Sequence, residues 1–363
     1  MRILHLTAGS DAGGVSRYIF DLCAAMHSAG HEVAVAGERG RWHDLFASAP
    51  WPWIDAPLKA GPLGLSRAAK IIRNYLAEHP VDILHAHYRR AAIVGRKLQN
   101  HGDPPLLYTL HLSHIPLGGV LGWLSDFGDH VHTPSIEGRH WLIDEAGVAP
   151  DRITVIPHGI HIERFPVPDE TARRQARSAL QIEDADLAAL YLGRFDPQKN
   201  EAWMIDLADA SQHELPELRV LMAGEGPGEE EARRQIEQRK LTGRVRMLGH
   251  REALPVLQAA DALLLPSARE GFSYSCAEAM CAGVPVLRTR TSGTRELIVE
   301  GVTGRSVEID RAAFVREAME FLADRPALRT MGTAAAQHIR RSFTFEHQLS
   351  QTLALYQKLI GRA

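Results

Sequence analysis

Short apolar runs such as "ILHL", "EVAVAG", "LAALYL" and "DALLLP" alternate along this chain with longer stretches whose apolar positions recur every three or four residues. The short runs predict strands buried on both faces, and the longer period predicts amphipathic helices. The first half reads as strand 2–6, helix 14–29, strand 32–36, helix 64–79, strand 81–85, helix 88–100, strand 106–110, a loop, helix 136–146 and strand 152–156. After "IPHGIHIERFPVPDE" (156–170) the alternation restarts. It gives strand 187–192, helix 200–212, strand 218–222, helix 228–240, strand 244–247, helix 252–259, strand 262–265, helix 273–282 and strand 284–287. This order is that of βα units on parallel sheets. The Pro, Gly and His content of 156–170 makes it the expected linker, so the fold class is α/β: two doubly wound domains with a cleft between them. The tail "SFTFEHQLSQTLALYQKLIG" (342–361) has Phe345, Leu349, Leu353, Tyr356 and Leu359 at helical spacing and no strand after it. It needs a surface already built to pack on.

Composition narrows the classes. The 363 residues suffice for two cores, and 45% hydrophobic with 23% charged residues is ordinary for a soluble protein. A net charge of −3 gives no basic face for nucleic acid. Cys23, Cys276 and Cys281 form no disulfide framework or zinc pattern, which suggests a reducing compartment. No run approaches the roughly 20 apolar residues that span a bilayer. The start "MRILHLTAGS" lacks a signal-peptide core, so a cytoplasmic location is expected.

Chemistry concentrates in "PSAREGFSYSCAEAMCAGVPVL" (266–287). Glu270 lies in the loop after strand 262–265, where ligands of open parallel sheets bind. Ser273 is placed to cap the helix that Gly283 ends, with Pro285 beyond it. The free amides of Phe272, Ser273, Tyr274 and Ser275 then form an anion site. Glu278, about one turn on, suits a diol such as ribose. "YLGRFDPQKN" (191–200) places Arg194 and Lys199 at the end of the first strand of its domain, two cations that fit a diphosphate. Amides, two carboxylates and two cations describe a nucleotide-sugar site that needs no metal and no other cofactor.

Other motifs read more plainly. "HAH" (85–87) and "HVH" (130–132) each put two histidines on one face of a strand with no third ligand in sight, so no metal is expected. "DAD" (184–186) precedes its strand and reads as a solvated loop. "AGEGPGEEE" (223–231) has dinucleotide-like glycines, but three glutamates there repel a phosphate. Cys276 and Cys281 read as packing thiols.

Taken together, the E-x7-E pair Glu270/Glu278, "GRFDPQKN", "GEGP" (224–227), "GGVSRY" (13–18), "IPHGIHIERF" (156–165) and "GVTG" (301–304) resemble the retaining glycosyltransferases of family four, in family order over nearly the whole chain. The resemblance implies a GT-B fold of two Rossmann-like domains. The first covers 1–165 and binds mainly the acceptor, and the second covers 166–344 and binds mainly the nucleotide-sugar donor. A C-terminal helix, 345–363, crosses back to the first. It further implies that Arg194 and Lys199 hold the diphosphate, Glu278 the ribose and Glu270 the donor-sugar hydroxyls. Gly13 and Gly14 match the glycine loop near the phosphates or acceptor, and His111 a histidine near the anomeric side. Asn200 stands where the family has Gly, and Ser273–Tyr274 where it has Gly and an aliphatic residue. The implied reaction keeps the anomeric configuration, with the leaving phosphate taking the acceptor's proton.

The partners expected are therefore a UDP-sugar or GDP-mannose and a sugar or lipid-linked acceptor, in polysaccharide or glycolipid synthesis. The segment 111–127, with Ile115, Leu117, Val120, Leu121 and Trp123 near Arg89 and Arg90, reads either as a peripheral membrane or lipid-acceptor face or as core. An epimerase of the same fold and a non-catalytic nucleotide-sugar-binding protein are the alternatives.

Overall fold

The computed structural model describes residues 1–11, 13–99, 104–118 and 125–361. The chain divides into two compact units, Met1–Pro157 with Glu346–Ala363, and His158–Phe345. Each is built on one parallel sheet. The first contains β1 (Arg2–Gly9), β2 (Glu32–Glu38), β3 (Trp53–Asp55), β4 (Ile83–Ala86), β5 (Leu106–Thr109), β6 (His130–Thr133) and β7 (Ile153–Val155), in the order β3-β2-β1-β4-β5-β6-β7. The second contains β8 (Leu187–Leu192), β9 (Leu218–Ala223), β10 (Val245–Gly249), β11 (Ala262–Leu265), β12 (Val286–Thr289) and β13 (Gly304–Val307), in the order β10-β9-β8-β11-β12-β13. The order reverses between β1 and β4 and again between β8 and β11. Loops leaving the strands there diverge and open a crevice at the carboxyl ends.

The second sheet is apolar on both faces because both are covered. Ala188, Leu190, Leu263 and Val286 pack on the helices Ala253–Ala259, Tyr274–Cys281 and Arg325–Ser342. Leu187, Ala189, Leu264 and Leu287 pack on Ala202–Ala210 and Arg311–Ala323. In the first sheet Leu4, Leu6, Leu84 and Ala86 pack on Pro62–Glu78 and Arg89–Leu98. The opposite face is different, because alternate positions there are histidines and threonine. His5 pairs in register with His85, and Thr109 with His132.

Several elements depart from the pattern reading. β3, β6 and β13 are strands that the apolar pattern passed over, since each is short and β6 reads "HVHT". The helix Glu170–Ala179 begins at the end of the expected linker, and only Arg177 of it is buried. In the last helix, Phe345–Ile360, Phe345, Tyr356 and Leu359 are buried as the spacing predicts, but Gln348, Thr352 and Leu355 are buried with them, whereas Leu349 and Leu353 are half-buried. The face is rotated because the surface it covers offers polar partners. Ile115 and Leu117 are half-buried against the first core, while Val120, Leu121 and Trp123 lie outside the described residues. In "DAD" Asp184 and Ala185 are exposed in a turn, as expected, but Asp186 is buried and ion-paired with Arg219 at 3.0 Å, at the amino end of β8 and away from the crevice. Among the described residues no helix is long and apolar enough to cross a membrane.

A directed chain of hydrogen bonds fastens the last helix to the first sheet. Tyr356 Oη lies 2.6 Å from His85 Nδ1, His85 Nε2 lies 2.6 Å from Thr109 Oγ1, and Thr109 Oγ1 lies 3.0 Å from His132 Nδ1. His132 Nε2 ends the chain 2.8 Å from the carbonyl of Ile156. A carbonyl only accepts, so His132 donates from Nε2 and accepts at Nδ1 from Thr109. His85 then donates to Thr109 and accepts from the Tyr356 hydroxyl. Tyr356→Phe removes that donor from a buried nitrogen and is expected to cost about 1–3 kcal/mol. Denaturant unfolding followed by hydrogen exchange in β4 and β5 measures it, and an unchanged midpoint contradicts the chain.

Candidate active site

The carboxyl edge of β8 and β11 carries Arg194, Asp196, Lys199 and Glu270. The loop after β8 turns back on itself: Lys199 N donates to Asp196 O at 2.7 Å, and Tyr191 Oη donates to Arg194 O at 2.5 Å. It is then tied to the loop after β11, because Ala268 N donates to Gln198 O at 2.7 Å and Asn200 Nδ2 to Pro266 O at 2.8 Å. These ties bring Lys199 Nζ within 2.6 Å of Glu270 Oε1, at the start of the glycine-containing turn 270–273. Glu270 is 12% exposed and Lys199 29%, so this pair is better shielded from solvent than most surface ion pairs. Arg194 lies in the same loop, 66% exposed, and holds Asp196 at 3.1 Å.

Asn200, the departure from the family glycine, has φ +51°. That left-handed conformation explains the position: Gly adopts it freely, and Asn is among the few other residues that tolerate it. Asn adds the side-chain bond to Pro266 that Gly lacks. The "GEGP" glycines have a structural reason as well. A Cβ on Gly224 would lie 1.9 Å from Gly193 O and one on Gly226 2.2 Å from Phe195 O, so both admit close backbone packing under the Arg194 loop.

Ser273 caps the helix Tyr274–Cys281, its hydroxyl accepting from Cys276 N at 3.4 Å. Glu278 is half-buried on that helix, about one turn from its start. Tyr274 is stacked on His158, with centroids 5.7 Å apart and planes 8° apart, and Phe272 meets both rings edge-on. The aliphatic-to-Tyr departure thus completes an aromatic group around His158, which pattern reasoning did not single out. Cys276 and Cys281 are buried, and burial pushes both thiols up to about 11. Arg288, also unanticipated, is buried on β12 and donates from Nη2 to Thr291 Oγ1 at 2.6 Å. It braces the turn in which Gly293 (φ +79°) approaches Gly271 O.

The remaining candidates belong to the first unit. Gly13, exposed, precedes the helix Gly14–Ser28 at the carboxyl end of β1. His111 is half-exposed just beyond β5. Behind it lies a feature the sequence reading discounted. The third histidine for "HAH" does exist: it is His5, from β1, and ligand atoms of His5, His85 and His87 all lie within 4.8 Å of one another. Yet both nitrogens of His85 and both of His87 already sit in hydrogen bonds, and His5 Nδ1 lies 2.9 Å from His87 Nε2. His85 and His87 are thus committed to separate hydrogen-bond chains before they form a ligand set.

Comparison with known proteins places this architecture. A family model described as "Glycosyl transferases group 1" matches residues 172–338, and one described as "Glycosyltransferase Family 4" matches residues 12–164. The chain belongs to this family of GT-B glycosyltransferases. It is 26% identical over 97% of its length to a D-inositol 3-phosphate glycosyltransferase of Pseudarthrobacter chlorophenolicus, of which 92% is covered. The counterpart in Mycobacterium tuberculosis is 27% identical over 97% of this chain and 80% of its own. Among solved structures, Anabaena HepE in complex with UDP and glucose superposes with a TM-score of 0.84 at 21% identity, covering 98% of this chain and 99% of that one.

The histidine network makes the first unit sensitive to acid. Burial lowers His5 to about 3 and His132 to about 4, and it also lowers His111. Burial, reinforced by the neighbouring histidines, holds His85 and His87 well below the usual range. Tyr18 and Tyr356, which face them, are pushed up by the same burial and stay protonated. The folded unit therefore takes up fewer protons than the unfolded chain below about pH 6.5. Its stability is full above that value and falls as pH drops toward the folded values, by up to about 1.4 kcal/mol per pH unit for each histidine. Hydrogen exchange in β1 and β4 is expected to show this loss between about pH 6.5 and pH 5. Protection unchanged across that window contradicts the assignment of neutral, buried rings.

Proposed function

We propose that this glycosyltransferase moves a hexosyl group from a nucleoside diphosphate sugar to a hydroxyl acceptor, retaining the anomeric configuration and using no metal ion. The observation that carries the reading is the Lys199–Glu270 pair at the switch point of the second sheet, beside the capped start of Tyr274–Cys281. A lysine ammonium has three donors, so Lys199 can hold Glu270 and still reach a phosphate. Arg194 and the first-turn amides add positive potential where the leaving diphosphate gains charge. Glu270 then meets sugar hydroxyls and Glu278 the ribose diol. The anomeric carbon–phosphate oxygen bond breaks as the acceptor oxygen bonds to the same face of that carbon. The acceptor's proton passes to the departing phosphate oxygen, so no protein base is required, and the residues act by orientation and charge stabilisation.

The UDP complex of the HepE neighbour supports a uridine donor over a guanosine one. A sugar or lipid-linked acceptor, in polysaccharide or glycolipid synthesis, is the reading carried forward from the family. Incubation with UDP-α-hexoses and candidate acceptors in excess chelator tests the whole proposal, with the new linkage read by proton NMR. An α-linked product is expected. A β-linked product refutes retention, a strict magnesium requirement refutes metal independence, and a rearranged donor with no transfer indicates an epimerase.

A further inference from the structure

Arg288, on β12, differs from the two cations of the candidate donor site in having no carboxylate. Arg194 holds Asp196 at 3.1 Å and Lys199 holds Glu270 at 2.6 Å, so each of those charges is matched inside the protein. Arg288 is 1% exposed, and its Nη2 donates to two neutral oxygens, Thr291 Oγ1 at 2.6 Å and the Ser292 carbonyl at 3.4 Å. Its Nη1 is buried without an acceptor. The Cys276 thiol feels the charge of the guanidinium, yet burial holds it up at about 11, so it carries no negative charge at neutral pH. Glu270, whose charge also reaches Cys276, already belongs to Lys199.

A buried guanidinium without a counter-ion is costly, and an apolar side chain of similar volume escapes that cost. What the charge can act on follows from its place. Cys276 lies in the first turn of the helix Tyr274–Cys281, the turn whose free amides suit an anion. The 291–293 turn that Arg288 holds sets Gly293 against the loop of Glu270: a Cβ there would lie 3.0 Å from Gly271 O and 3.4 Å from Phe272 Cα. The charge thus sits behind the surface that a diphosphate would meet. Protein between the two screens it less than water would.

We propose that Arg288 is a positioning residue for the donor, whose unmatched charge acts through the first turn of Tyr274–Cys281 on the diphosphate, which becomes its counter-ion. The inference deepens the transferase reading and rests on it. Arg288 touches no ligand, and the charge it answers is that of the phosphates, not the nucleoside.

Calorimetric titration of uridine, UMP and UDP in excess chelator, into the native chain and three variants, tests this. Arg288→Gln keeps a donor for Thr291 and loses the charge, Arg288→Met loses both, and Arg288→Lys keeps the charge. UDP affinity is expected to fall about tenfold in the two neutral variants, UMP affinity by less, and uridine affinity not at all. Arg288→Lys is expected to stay within about threefold of the native chain for all three ligands. Arg288→Met is also expected to unfold at the native denaturant midpoint or above it, since no buried charge remains. UDP bound equally well by the native chain and both neutral variants overturns the inference and leaves the donor reading standing. A parallel loss of uridine and UDP does the same, because a merely structural role weakens both. An Arg288→Met chain that unfolds earlier, or does not fold, shows a charge already matched within the protein and overturns it too. A native chain that binds no UDP sinks the donor reading, and the inference with it.

Discussion

At the carboxyl edge of the second sheet, three loops are pressed together backbone against backbone, and the candidate chemistry depends on that contact. Gly224 and Gly226 let the loop after β9 lie directly under Gly193 and Phe195. Asn200, in a left-handed conformation, turns the chain and ties it to Pro266. Only then do Lys199 and Glu270, on loops from different strands, come within 2.6 Å. A Cβ at either glycine would overlap backbone atoms, which cannot yield as a flexible side chain can. The constraint is steric, and the electrostatics follow from it.

The first unit solves a different problem. Its sheet must cover a face that carries His5, His85, Thr109 and His132, polar groups whose burial is costly unless each finds a partner. The last helix supplies one through Tyr356, and the Ile156 carbonyl closes that chain. The result is a polar core in which the chain from Tyr356 to the Ile156 carbonyl has a set direction. Such networks are directional, and direction is what a site that must present a donor or an acceptor can use.

Much of this was legible in the sequence because parallel strands covered on both faces announce themselves as unbroken apolar runs, as at Leu187–Leu192 and Ala262–Leu265. The Glu270–Glu278 spacing and the Arg194–Lys199 loop were readable for the same reason: they sit directly after such runs. What escaped was anything set by contact between distant segments. β6 reads as polar because its histidines are satisfied by Thr109, Thr154 and Ile156. The last helix turns Thr352 inward and Leu353 partly outward because its covered surface is polar on one side. His5 gave no local signal at all; it matters through register with His85, 80 residues away in the chain.

The central claim is that donor binding is built at the β8/β11 switch point around Lys199, with Glu278 on the following helix. Calorimetric titration of UDP into the native chain, Lys199→Ala and Glu278→Gln, all in excess chelator, tests it most directly. The account predicts binding by the native chain that persists without divalent metal. It predicts a loss of about tenfold or more for Lys199→Ala, whose ammonium no longer meets the diphosphate, and a smaller loss for Glu278→Gln through the ribose. Native-like affinity in both variants would place the donor elsewhere and contradict the account.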